Sequence, residues 1–112
     1  MEEINKIKEE IRNLYSEICK FPYNKMPPSG IRHIVKSILD KINELSVLDK
    51  TQNYLGVFER LSMLMEQEMS LVMYAYEKTL QRNSPQIRKT EFLGKLQSLI
   101  GAINRALFSV IN

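Results

Sequence analysis

The stretch INKIKEEIRNLYSEI, residues 4–18, decides the fold. Its apolar residues Ile4, Ile7, Ile11, Leu14 and Ile18 recur every three or four positions, the spacing at which side chains of an α-helix stack on one face. Glu3, Lys6, Glu9, Glu10, Asn13 and Glu17 cover the far side, so residues 3–20 read as an amphipathic helix with one face for a core. A strand would alternate at every second residue, and no segment of the chain does so.

The same period continues outward. Pro22 and Pro27-Pro28 end the first helix, because proline lacks a backbone N–H and disfavours helical geometry in the residue before it. Ser29 is placed to cap a second helix over 30–46, with Ile31, Ile34, Val35, Ile38, Ile42 and Leu45 on one side. Asp49 followed by Gln52 resembles a capping box and predicts a third helix over 50–81, about 45 Å long. Its broad apolar sector holds Phe58, Leu61, Leu64, Met65, Val72, Ala75, Tyr76 and Leu80. Ser84-Pro85 supplies a cap and a first-turn proline for a fourth helix over 86–111, whose regular start could lie as late as Thr90 because Lys89 would point toward the core sector. Phe92, Leu96, Leu99, Ile100, Ile103, Leu107 and Val110 form the fourth stripe. The expected fold is all-α: one domain over 1–112, an antiparallel four-helix bundle with a tight hairpin of helices three and four.

Composition narrows the class. The 112 residues are 44% hydrophobic and 26% charged, the balance of a folded globular chain. A single Cys excludes an intramolecular disulfide framework and fits a reducing cytoplasm. The longest apolar run, Leu71 to Tyr76, is far below the roughly 20 residues of a membrane-spanning helix. The acidic start Met1-Glu2-Glu3 does not resemble an export signal. The formal net charge of +3 is unevenly placed: residues 82–112 carry five basic side chains against one acidic.

Catalytic patterns are sparse, and the expectation is a protein that is not an enzyme and needs no cofactor or metal. The sequence has no Gly-rich phosphate loop, no HExxH, no paired Cys spacing and no Glu-x-x-His pair of the kind that holds iron in bundles. His33, the lone histidine, falls opposite its helix's apolar stripe and reads as a solvated side chain. Cys19 lies beside the first stripe and reads as a partly buried structural thiol. Glu68 falls inside the third helix's apolar sector, where a carboxylate is costly unless it pairs, with Lys89 or a tyrosine hydroxyl, or reaches water at the sector's edge.

Two features point to binding. Met63 and Tyr74 project from the polar side of the third helix with Gln67 and Ser70, apolar side chains on a wet face. Gly94, Ser98, Gly101 and Arg105 lie together opposite the fourth helix's stripe. Each internal glycine costs about 0.8–1 kcal/mol relative to alanine, so two on one face call for a reason. A strip of small residues lets another backbone approach closely, including a helix of a membrane protein. Arg88, Lys95 and Arg105 make that side basic. Nucleic acid is not an expected partner, because the positive balance comes without a recognition motif or interleaved aromatics.

The pattern resembles the immunity proteins of pediocin-like (enterocin A type) bacteriocins, small basic cytosolic four-helix bundles of Gram-positive bacteria. The residues that carry the resemblance are Asn13-Leu14-Tyr15-Ser16-Glu17-Ile18, Phe58-Glu59-Arg60-Leu61 and Leu96-Gln97-Ser98-Leu99-Ile100-Gly101. In place of the family's loose polar tail, this chain carries the apolar Phe108 to Asn112. The resemblance implies a non-catalytic protein that recognises, from the cytosol and with a peripheral place at the membrane as one expectation, the complex of a bacteriocin with its mannose phosphotransferase permease, and that uses its C-terminal half to select the bacteriocin. The alternative from the residues alone is a helical interaction module, an adaptor, regulator or inhibitor, with another partner.

Overall fold

The structure, a computed structural model, describes residues 2–111. It contains α1 (Glu2–Cys19), α2 (Gly30–Leu48), a long α3 and α4 (Gln86–Ile111), and no strand occurs among the described residues. α3 is one continuous rod: an α-helical segment Leu55–Met63, a single π-helical turn Leu64–Glu68 and a second α-helical segment Met69–Thr79. The all-α bundle expected from the periodicity is the fold observed.

The bundle is staggered. At 1.5 Å per residue α1 is about 27 Å long, yet the molecule measures 54 × 22 × 19 Å. α1 packs on α2, the second half of α3 packs on α4, and α1 meets α4 while the first half of α3 meets α2. Arg12 Nε donates to the Ile111 carbonyl at 2.9 Å, so α4 ends beside the middle of α1. At the other end Tyr23 and Lys25, from the α1–α2 connection, share a cleft with Leu80, Lys89 and Leu93. α1 and α4 therefore run antiparallel, and the α1–α2 and α3–α4 hairpins overhang in opposite directions.

One hydrophobic cluster runs through all four helices. Ile11 and Ile18 of α1, Ile31, Val35, Ile38, Ile42 and Leu45 of α2, Leu61 and Met69 of α3, and Leu99, Ile103 and Leu107 of α4 are all essentially inaccessible to solvent. Each such side chain contributes about 1.5–3 kcal/mol through the apolar surface it removes from water.

α3 departs from the expected stripe. Its buried residues are Leu61, Leu64, Met69, Val72 and Ala75, with a five-residue step between Leu64 and Met69. The Met69 N–H donates to the Leu64 carbonyl, the i→i−5 bond of a π turn, which absorbs one extra residue without breaking the rod. Met69 thereby takes the core position that regular periodicity assigned to Glu68, and Glu66, Gln67 and Glu68 are exposed. Glu68 pairs with neither Lys89 nor a tyrosine among the contacts of the described residues; turning outward avoids the cost of a buried carboxylate.

The helix ends correct further expectations. α3 begins at Leu55, not near residue 50, because Asp49 organises a turn instead of opening a helix. The Asp49 N–H closes α2 on the Leu45 carbonyl at 2.7 Å. Asp49 Oδ1 accepts from the Thr51 N–H and hydroxyl, and Oδ2 accepts from the Tyr54 hydroxyl at 2.7 Å. Asn53 Oδ1 then accepts from the Leu55 N–H at 2.9 Å, where the helix starts. α2 runs on to Leu48, beyond the expected 46, and α3 stops at Thr79, short of 81, which leaves Leu80 exposed past the helix end instead of in the core.

Ser29 occupies the N-cap position of α2 without a side-chain cap bond, and i→i−3 bonds from Gly30, Ile31 and Arg32 satisfy the first N–H groups instead. α4 starts at Gln86, the earlier of the two expected starts, with Lys89 exposed. The Ser84 hydroxyl does not cap α4; it donates back to the Lys78 carbonyl at 3.1 Å and closes α3. Asn83, with φ of 61°, turns the chain between the two helices, a conformation that asparagine tolerates better than most residues. Cys19 is exposed, one residue past the buried Ile18, so it is not the partly buried thiol expected.

The α1–α2 connection is ordered by aromatics. A Cβ on Gly30 would stand 2.4 Å from the Phe21 ring, so the glycine lets that ring lie against the start of α2. Phe21 packs on Tyr23 with centroids 5.0 Å apart, and the Tyr23 hydroxyl donates to the Ile18 carbonyl at 2.7 Å. Burial, with a smaller contribution from Cys19, pushes the Tyr23 hydroxyl up to about 12.

Candidate functional site

α4 presents the strip that the sequence singled out. Phe92, Leu96, Leu99, Ile103 and Leu107 face the core, and Gly94, Lys95, Ser98 and Arg105 are exposed on other sides of the same helix. A Cβ built on Gly94 would meet nothing within 4 Å, so no packing within the chain requires the glycine. Gly101 differs: it is half-buried, and Arg105 Nη1 lies 3.5 Å from the position of its Cβ. The strip is therefore bare at Gly94 and partly roofed by a guanidinium at Gly101. Arg88 stands apart from it. Its guanidinium donates to the Gln81 side chain and ties the first turn of α4 to the α3–α4 turn. Glu91 is the sole acidic residue of α4, against Arg88, Lys89, Lys95 and Arg105.

Met63 and Tyr74 are exposed as expected, and Leu71 joins them on the open side of α3. Lys78 Nζ sits over the Tyr74 ring, 4.8 Å from its centroid, a cation–π contact. No hydrogen bond or ion pair among the described residues joins the α3 group to the α4 strip.

A third surface escaped sequence reading. Tyr23 and Lys25 of the first connection, Tyr76 of α3, Leu80 just past its end, and Lys89 and Leu93 of α4 line a cleft of about 410 Å³ at one end of the bundle. Its walls are supported by Tyr76 and Phe92, whose rings pack with centroids 5.5 Å apart. Residues from three separate segments meet here, and those with a local signal, Tyr76, Leu80 and Lys89, were each read toward the core.

At the opposite end, a groove of about 550 Å³ between α1 and α2 is bridged by charge. Lys41 Nζ lies 2.7 Å from Glu10 Oε2 and 3.2 Å from Glu44 Oε2. The contact with Lys41 holds Glu10 below the usual carboxylate range, and the two carboxylates raise Lys41. Lys41 thus links α2 to Glu10 of α1, which makes the bridge a helix-pairing contact. Among the described residues no group of three or more His, Cys, Asp or Glu side chains is disposed to hold a metal ion, and His33 is exposed. No helix among them is long and apolar enough to cross a membrane.

The chain is, by its fold, an all-α four-helix bundle. No protein-family model matches it, and neither a curated protein nor a solved structure does.

Proposed function

We propose that this protein is a non-catalytic bacteriocin immunity protein that recognises, from the cytosolic side, a complex of a pediocin-like peptide with a permease of the mannose phosphotransferase type. One observation carries the reading: α4 displays a basic strip, bare at Gly94, on a face the core does not use. A glycine with open space above it costs helix stability and answers to nothing inside the chain, which suits a surface where a partner helix lies close. Lys95 and Arg105 flank that approach and favour a partner carrying acidic groups or exposed carbonyls. The four-helix architecture and the segments at 13–18, 58–61 and 96–101 support the same reading. Cofactor, metal and nucleic acid have no part in it.

Expression in a sensitive strain followed by challenge with a panel of pediocin-like peptides, including any encoded beside the gene, tests the proposal. Protection against at least one peptide is expected; sensitivity to the whole panel refutes it.

The exposure of Met63, Leu71 and Tyr74 on α3 favours a second reading, an interaction module for a soluble partner. Affinity capture that recovers such a partner through α3, with no permease component and no protection, would replace the first reading by the second.

A further inference from the structure

The end of the rod formed by the α1–α2 connection and the α3–α4 turn gathers charge and apolar surface that neither element shows alone. Residues 20–29 and 77–91 contain six basic side chains, Lys20, Lys25, Lys78, Arg82, Arg88 and Lys89, against Glu77 and Glu91. The rest of the chain holds ten basic and eleven acidic residues, so the whole positive balance resides at this end. Met26, Leu80, Ile87 and Leu93 are each half or more exposed there, within a few per cent. Lys25, Leu80, Lys89 and Leu93 line the same cleft, which places cations beside the exposed apolar residues.

We infer that this end of the bundle is a docking surface for a lipid bilayer bearing anionic headgroups. The chemistry fits a bilayer: attraction to anionic lipid accumulates with each basic residue near the surface, and a few apolar side chains enter the headgroup boundary with no matched interface required. Leu80 lies past the end of α3 and Ile87 in the first turn of α4, so both can enter that boundary while the helices stay folded. End-on docking leaves the flanks of the rod, including Gly94 and Lys95 on α4, free for a protein within the same membrane.

The inference does not rest on the immunity reading: vesicle binding and protection are separate readouts, and either fails without the other. Co-sedimentation of the full chain with vesicles of phosphatidylcholine alone, or with about a third phosphatidylglycerol, tests it at low and high salt. Binding to the anionic vesicles is expected, at least about tenfold weaker to the neutral ones, and falling as salt screens the charges. The double variant Lys25→Glu/Lys89→Glu is expected to weaken binding at least about tenfold and Leu80→Ser/Leu93→Ser to weaken it severalfold, while Lys50→Glu, on the α2–α3 connection, leaves it within about twofold. These positions are exposed, and melting curves confirm that the variants fold; the headgroup and salt dependence of the unmodified chain needs no variant. Binding that is absent, indifferent to headgroup charge, or reduced as much by Lys50→Glu as by the double charge variant overturns the inference.

Discussion

Asp49 and Tyr54 show how a local choice of hydrogen bonds sets a helix boundary. The Asp49 carboxylate is held at about 2 by the Thr51 hydroxyl, the Tyr54 hydroxyl and the Thr51 N–H, and burial with the bond to Asp49 pushes Tyr54 up to about 12. A carboxyl depressed in the folded state stabilises it fully above the unfolded value near 3.9, and that contribution disappears as the pH falls through about 2. Unfolding free energy is therefore expected to drop between pH 4 and 2 more steeply in the native sequence than in Asp49→Asn, a comparison that denaturant titration at each pH makes directly. Tyr54→Phe removes one hydrogen bond to a charged acceptor and should cost about 1.5 kcal/mol at neutral pH. The sequence displayed Asp49 and Gln52 at capping-box spacing, but Thr51, Asn53 and Tyr54 compete for the same local bonds. Their outcome depends on Tyr54 reaching the core, where it is 3% exposed, and spacing does not encode that. Gly94 tells the opposite story: its isolation on an outward helix face was legible from the sequence. Gly94→Ala should raise stability by about 0.5–1 kcal/mol, read by chemical denaturation.

At the level of elements, α1, α2 and α4 were legible because their stripes run uninterrupted at helical spacing, whereas α3 changes step in its middle. The clue was present, since a carboxylate at Glu68 fell where a core residue was needed and Met69 stood next to it. Periodicity alone has no term for a π turn. Two consequences follow from the turn absorbing one residue. Glu68→Ala should leave stability within about 0.5 kcal/mol, while Met69→Ala should cost about 2–5 kcal/mol. Deleting Gln67 is expected to convert the π turn to a regular one and keep both halves of the stripe in the core. Deleting Gln97 from the uninterrupted α4 rotates Leu99, Ile103 and Leu107 away from their partners and should abolish cooperative unfolding. Circular dichroism melts of the two deletions distinguish these outcomes, and equal damage from both would contradict the π-turn account.

At the scale of the whole molecule, the stagger of the two hairpins converts scattered charges into a polar asymmetry. The excess of basic residues after residue 82 was visible in the sequence, and it pointed to α4. Folding divides it: Lys95 and Arg105 stay on the flank of α4, while Arg82, Arg88 and Lys89 join Lys20 and Lys25 at one end of the rod. That junction depends on contacts between residues more than fifty positions apart, which is why no local pattern announced it. The two proposed surfaces are compatible: a rod docked by this end on an anionic surface would leave the flank of α4 facing sideways along it. The most direct test is survival of a sensitive strain carrying either the native chain or Gly94→Leu, matched for expression and melting temperature. The native chain should protect against at least one pediocin-like peptide, and Gly94→Leu, which puts a bulky side chain on the bare strip, should lose at least about tenfold of that protection, the factor that corresponds to 1.4 kcal/mol of lost binding. Protection by neither chain, or equal protection by both, would contradict the account.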